Sequence, residues 1–131
     1  MRVIKAIVAV ALTMLICDLL WLGVVAESFY SDALGSLRAP EAVVPAAALF
    51  YLQYVAVIVL YAVLPSPDIK TAARRGAGVG WLAYATYELT NWAVIAGWPS
   101  SLVAVDIVWG VALTTVVAVV GRAAAGSQPE A

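Results

Sequence analysis

The sequence predicts an all-α fold: a polytopic membrane protein with four transmembrane helices and a short interfacial helix in its first outer loop. Three observations predict it. Hydrophobic residues make up 65% of the 131-residue chain and charged residues 11%, against roughly 45–50% and about 25% in a soluble domain. Four apolar stretches each approach the ~20 residues that cross a bilayer core. The positive charges are sorted between the loops, as topology requires.

The first span is expected over residues 6–26, behind a basic start at Arg2 and Lys5. Val24-Val25-Ala26 resembles a signal-peptide cleavage site, but the apolar run is too long and contains Asp18 and Trp21. It is therefore read as a retained helix. The second span covers residues 43–64, with Pro45 in its first turn, where a missing N–H costs nothing, and stops at Pro65-Ser66-Pro67. The third covers 76–97 and stops at Trp98-Pro99; the fourth covers 102–120. Residues 1–121 thus form one domain, and 122–131 a short polar tail. In the loop from Glu27 to Glu41, Tyr30, Leu34 and Leu37 recur at helical spacing, which predicts the interfacial helix. Arg2, Lys5, Lys70, Arg74, Arg75 and Arg122 fall on one side of this arrangement and only Arg38 on the other, which puts both termini in the cytoplasm.

Composition also closes off several kinds of chemistry. Seven basic residues and a net charge of −1 cannot build a nucleic-acid surface. Histidine is absent, removing the commonest general base and transition-metal ligand. The single Cys17 supports neither an intrachain disulfide nor a thiolate cluster and reads as a small buried apolar residue. No metal or cofactor motif is present. What remains are carboxyls, hydroxyls, phenols, amides and indoles.

Those groups concentrate at one depth. Three spans carry one acid each: Asp18, Glu88 and Asp106. At the helical rise they lie about 13, 15 and 7 Å below the outer ends of their helices, with no intramembrane Lys, Arg or His to neutralise them. An acid at a helix centre costs about 2.5–3.5 kcal/mol on insertion scales. These three must therefore face inward and be hydrogen-bonded, protonated or cation-bound. On the third helix Gly76, Gly80, Tyr84, Tyr87, Glu88 and Asn91 share a face; on the fourth, Asp106, Gly110 and Thr114 are spaced by four, with Trp109 beside them. The second helix presents Tyr51, Tyr54 and Tyr61 on one stripe near Gln53, and the first sets Trp21 one turn from Asp18. The expected site is an outer-half pocket of Asp18, Glu88, Asp106, Asn91, Tyr84, Tyr87, Tyr54, Trp21 and Trp109. Gly76, Gly80 and Gly110 read as helix-packing positions. Trp81 and Trp98, near helix ends, read as interfacial belt residues, and Asp106 is near enough to the start of its helix to cap it. The tyrosines also fit plain interhelical hydrogen bonding.

The order of these residues carries a resemblance. Asp18-Leu19-x-Trp21-Leu22-Gly23, Phe29-Tyr30, Pro45-Ala46-Ala47 and Phe50-Tyr51-x-x-Tyr54 are followed by Gly76 and Gly80. Then come Tyr84-Ala85-Thr86-Tyr87-Glu88-Leu89-Thr90-Asn91, Trp98-Pro99 and Val105-Asp106-Ile107-x-Trp109-Gly110. Over nearly its whole length the chain resembles an uncharacterised family of small bacterial four-helix membrane proteins, a domain of unknown function. The family pattern has Asp where this chain has Glu88, which implies that the acid matters more than an exact ligand distance. The resemblance implies a bacterial cytoplasmic (inner) membrane location and brings no established activity. Relatives encoded near fatty-acid- and lipid-modifying enzymes point toward lipid-linked roles.

Two classes of function fit best. In the first, the pocket binds a proton, a cation or a cationic or amphiphilic small molecule, as a small transporter. The alternative is a membrane-embedded lipid-binding or accessory subunit of a lipid-modifying enzyme or larger complex. An intramembrane enzyme using an acid pair ranks last, since no strong nucleophile, cofactor motif or metal cage is present. The expected partners are membrane lipids, a small cationic or amphiphilic ligand, and further copies of the chain or a larger membrane complex.

Overall fold

The chain folds where its apolar runs and breakers direct it, and the computed structural model describes residues 1–126. Helix α1 (Arg2–Leu20) continues without a break into a π-helical turn, Trp21–Val25. Helix α2 (Glu27–Leu34) follows at once and ends at Gly35, whose φ of 50° suits a residue without Cβ. Helix α3 (Val44–Val57) opens with Pro45 in its first turn and also ends in a π-helical turn, Ile58–Val63. Helices α4 (Ile69–Val94) and α5 (Ser100–Ala125) form an antiparallel hairpin. Its turn closes through Gly97, at φ 80°, and a bond from Trp98 N–H to the Ile95 carbonyl. No strand occurs among the described residues.

Three helical segments are long and apolar enough to cross a membrane: Arg2–Val25, Val44–Val63 and Ser100–Ala125. The fourth expected span falls short on composition, not length. Helix α4 has 26 residues, but Lys70, Arg74 and Arg75 in its first turns, and Glu88 and Asn91 near its end, dilute its apolar character.

The helix ends differ from expectation for local reasons. Helix α4 starts at Ile69 because the Asp68 carboxylate accepts the Thr71 N–H at 2.6 Å as an N-cap. That bond holds the exposed Asp68 carboxyl below the usual aspartate range. Helix α5 runs beyond Val120 to Ala125, so the polar tail does not begin at 122. Arg122 is only 7% exposed. Its Nε donates to the Ser66 carbonyl at 2.8 Å and its Nη2 to that of Pro67 at 2.7 Å; Nη1 bonds the Gly126 carbonyl. Nearby, Arg2 Nη2 donates to the Leu64 carbonyl at 3.0 Å. Both arginines thus satisfy main-chain acceptors where α3 hands over to α4. The rest of the expected tail, residues 127–131, lies outside the described part.

Helix α5 is the axis of the assembly. It packs along α4 over the greatest length, then along α1, then against the π turn of α3. The main core fills the half of the molecule that holds the termini, with Val10, Met14, Ile58, Val63, Leu113 and Val117 fully or almost fully buried. Lipid tails are as apolar as leucine, so such helices associate through close packing and hydrogen bonds instead of water exclusion. The α4–α5 seam supplies both. A Cβ on Gly76 would lie 2.7 Å from the Thr114 carbonyl oxygen and from Ala118 Cβ. One on Gly80 would collide with the Gly110 carbonyl oxygen, and one on Gly110 with the Tyr84 ring.

The first part of α3 behaves differently. It approaches α1, but none of its Cα atoms comes within 8 Å of a Cα of α4 or α5. Below it, the π turn packs tightly on both. A cleft therefore opens between α3 and α4 at the end of the molecule that carries α2.

Candidate functional site

At that end Asp18, Glu88 and Asp106 each meet an aromatic donor. Asp18, on α1 and 5% exposed, accepts from the Tyr51 hydroxyl of α3 at 2.8 Å. Asp106, on α5 and 8% exposed, accepts from the Tyr30 hydroxyl of α2 in a short contact. Glu88, on α4 and fully buried, accepts from the Trp98 indole N–H at 2.9 Å. The donors come from three different places in the chain, and each ties a second element to its acid. Burial and the neighbouring Asp106 hold the Tyr30 phenol above the ordinary tyrosine range, so it stays a donor.

Glu88 and Asp106 sit side by side, although the sequence placed them at different depths. Helix α4 ends at Val94 and α5 begins at Ser100, so each acid is six residues from the turn of its hairpin, about 9 Å along either helix. The Glu88 carboxyl is a close neighbour of that of Asp106, and its Oε1 is buried with no hydrogen-bond partner among the described residues. Two ionised carboxylates only accept. A bond between them can form only when one carries a proton. Asp106 lies within α5 and does not cap it; that position belongs to Pro99.

A cavity of about 720 Å³ opens beside this layer. Asp18, Asp106, Tyr30 and Trp109 line one side. Helix α3 contributes Phe50, Tyr51, Gln53 and Tyr54, and α4 contributes Leu82, Thr86, Tyr84 and Tyr87. Its lining contains two acids and no base. The floor is a chain of hydroxyls: Tyr54 Oη lies 2.7 Å from Thr114 Oγ1, which donates to the Gly110 carbonyl at 2.7 Å. The Tyr84 ring stands 6.3 Å from that of Tyr54. Trp21, which does not line the cavity, stacks on Trp109 with centroids 4.4 Å apart and planes within 5°. Trp21 also donates to the Tyr30 hydroxyl at 3.1 Å.

Of the nine residues expected in the pocket, Asp18, Asp106, Tyr54, Tyr84, Tyr87 and Trp109 line the cavity. Glu88 stands one step behind Asp106, and Trp21 stacks on Trp109. Asn91 is not among the residues lining the cavity. The expected stripe of Tyr51, Tyr54 and Tyr61 breaks at the last member, which is 67% exposed. Tyr61 lies on the π turn of α3 and lines a shallow groove next to the cavity instead of the cavity itself. Two donors escaped the sequence reading: Trp98, taken for a belt residue, and Tyr30, taken only as part of an interfacial helix. A pairing argument could have found them. Three buried acids without a base need donors, and phenols and indoles are the aromatic side chains that supply them.

A family model described as "Predicted membrane protein (DUF2177)" matches residues 3–123. The chain belongs to this family. All three acids, their three donors and the α4–α5 seam fall within the matched region. The family is one of predicted membrane proteins of unknown function, in keeping with an all-helical chain of apolar helices. No curated protein and no solved structure matches the chain.

Proposed function

We propose that this DUF2177 protein spans the bacterial cytoplasmic membrane four times, with both termini in the cytoplasm. Its outer-half cavity binds a small organic cation, or the cationic headgroup of an amphiphile, and carries it as a small proton-linked transporter. The fourth span is α4: at 26 residues it is about 39 Å long, more than the ~30 Å hydrocarbon core requires. Of its polar residues, Glu88 is buried, Tyr84, Thr86 and Tyr87 line the cavity, and Lys70, Arg74 and Arg75 mark the cytoplasmic end.

One observation carries the functional reading. A single cavity brings together Asp18 and Asp106 from two helices, several aromatic rings, and no basic side chain. Such a lining is the complement of an organic cation, which gains from carboxylates and from aromatic faces at about 0.5–2 kcal/mol each for the latter. The neighbouring Glu88–Asp106 pair supplies a proton that the arriving charge displaces.

The test is calorimetric titration of tetraethylammonium into the protein in lipid nanodiscs, repeated in buffers of different ionisation enthalpy. Saturable binding with proton release, lost in Asp18→Asn and Asp106→Asn, is expected. Absence of saturable binding by tetraethylammonium and by alkali and divalent cations refutes the reading. The alternative of a lipid-binding accessory subunit draws on the opening between α3 and α4. Its support would be co-purification from native membranes with a lipid-modifying enzyme.

A further inference from the structure

The cavity does not end at its floor. A shallow surface groove of about 600 Å³ lies next to it, where the π turn of α3 packs on α4, lined by Leu60, Tyr61, Pro65, Gly78, Val79 and Leu82 and reaching Arg75. Leu82 belongs to both spaces and is 68% exposed. A Cβ built on Gly78 meets no atom within 4 Å, so the groove is open there. Charge and polarity are graded along this path. The acids lie in the cavity, and the groove below is apolar until Arg75.

We propose that the ligand is a single-chain cationic amphiphile, a long-chain amine or quaternary ammonium compound. It reaches the site sideways between α3 and α4, with its head against Asp18 and Asp106 and its chain in the groove over Gly78 and Val79. This rests on the cation-binding reading above and specifies its ligand class. The lateral gap is what selects a membrane-dissolved molecule: no Cα of α3 comes within 8 Å of one of α4, so an alkyl chain need not thread the bundle. Charge complementarity selects the sign of the head. An anionic headgroup would bring a third negative charge to two acids, and among the described residues neither forms an ion pair with a basic side chain. The groove and cavity together exceed the roughly 300–1,000 Å³ of ordinary small-molecule pockets, which suits a head and a chain better than a head alone.

The experiment measures radiolabelled dodecyltrimethylammonium bound to protein-containing nanodiscs in excess of that dissolved in empty discs. Tetraethylammonium binding is measured in parallel. Wild type, Gly78→Leu and Asp106→Asn are compared. Gly78→Leu fills open space on an exposed helix face and replaces glycine by a better helix former, so it does not threaten folding. The expected result is saturable excess binding of the long-chain cation by wild type. Gly78→Leu weakens it about fivefold or more while leaving tetraethylammonium unchanged, and Asp106→Asn loses both ligands.

Equal dodecyltrimethylammonium binding by wild type and Gly78→Leu overturns the groove while leaving the cation site standing. Loss of the long-chain ligand in Gly78→Leu but not in Asp106→Asn overturns the cationic head and leaves a groove for a neutral chain. No excess binding of either ligand by wild type overturns both readings.

Discussion

Two glycines on α4, two residues apart, should respond to alanine in opposite directions. Gly80 faces α5 at its tightest approach. A Cβ there would collide with the Gly110 carbonyl oxygen and lie 2.9 Å from Thr114 Oγ1 and 3.0 Å from Gly110 C. Backbone cannot rotate away as a flexible side chain can, so the helices must separate by several tenths of an ångström. Overpacking of this kind costs about 1–3 kcal/mol. Thr114 Oγ1 also holds the Tyr54 hydroxyl at 2.7 Å, so the same displacement loosens the cavity floor. At Gly78 the added methyl meets nothing. Alanine there gains about 0.5–1 kcal/mol from reduced backbone freedom in the unfolded chain and better helix propensity. The same gain accompanies Gly80→Ala and cancels in the comparison, so Gly80→Ala should be less stable than Gly78→Ala by about 1–3 kcal/mol. The assay is equilibrium unfolding by SDS in mixed micelles, followed by far-UV circular dichroism. Equal stability of the two variants would refute the claim that the α4–α5 seam depends on glycine at 80.

Further predictions concern the polar contacts. Trp98→Phe removes the indole donor to buried Glu88 and should cost about 1.5–3 kcal/mol, with a clearly smaller cost in a Glu88→Leu background; additive effects in the double-mutant cycle would mean the bond contributes nothing. Tyr54→Phe should cost about 0.5–1.5 kcal/mol, because Thr114 keeps its bond to the Gly110 carbonyl. Arg122→Met strands the Ser66 and Pro67 carbonyls and should speed cleavage after Lys70 by a lysine-specific protease. Asp68→Ala should fray the start of α4, read as faster amide exchange at Thr71. Because folding lowers the Asp68 pKa, its contribution is present above the unfolded value, near 3.9, and fades as pH falls through the folded one. The exchange rates of wild type and Asp68→Ala should therefore converge in acid.

The apolar runs, Pro45, Gly97 and the Pro65-Ser66-Pro67 break were legible because each acts locally, and the helices begin and end near them. The acids were legible too, since an ionisable residue in an apolar helix has few explanations. Relative depth was not. A difference of a few residues in the end of α4 separated Glu88 from Asp106 on paper by about 8 Å, whereas the hairpin sets them level. Nor was the position of Tyr61, which lies on a π turn that no breaker announces. Helix α4 was recognisable from its glycine and tyrosine face, and the polarity of that face is one reason it falls short of the apolar character of the other long helices. Trp98 and Tyr30 were seen and misassigned, since aromatic residues at a helix end suit a lipid interface and a buried carboxylate equally well.

The stacked indoles of Trp21 and Trp109 join α1 to α5 close to the two cavity acids. Parallel chromophores 4.4 Å apart couple their electronic transitions, and that coupling depends steeply on separation and tilt. The protein therefore carries an optical gauge of its own. Any rocking of α1 against α5 that widens or closes the cavity must change the shape of the exciton couplet in the far ultraviolet. No label need be attached to observe it.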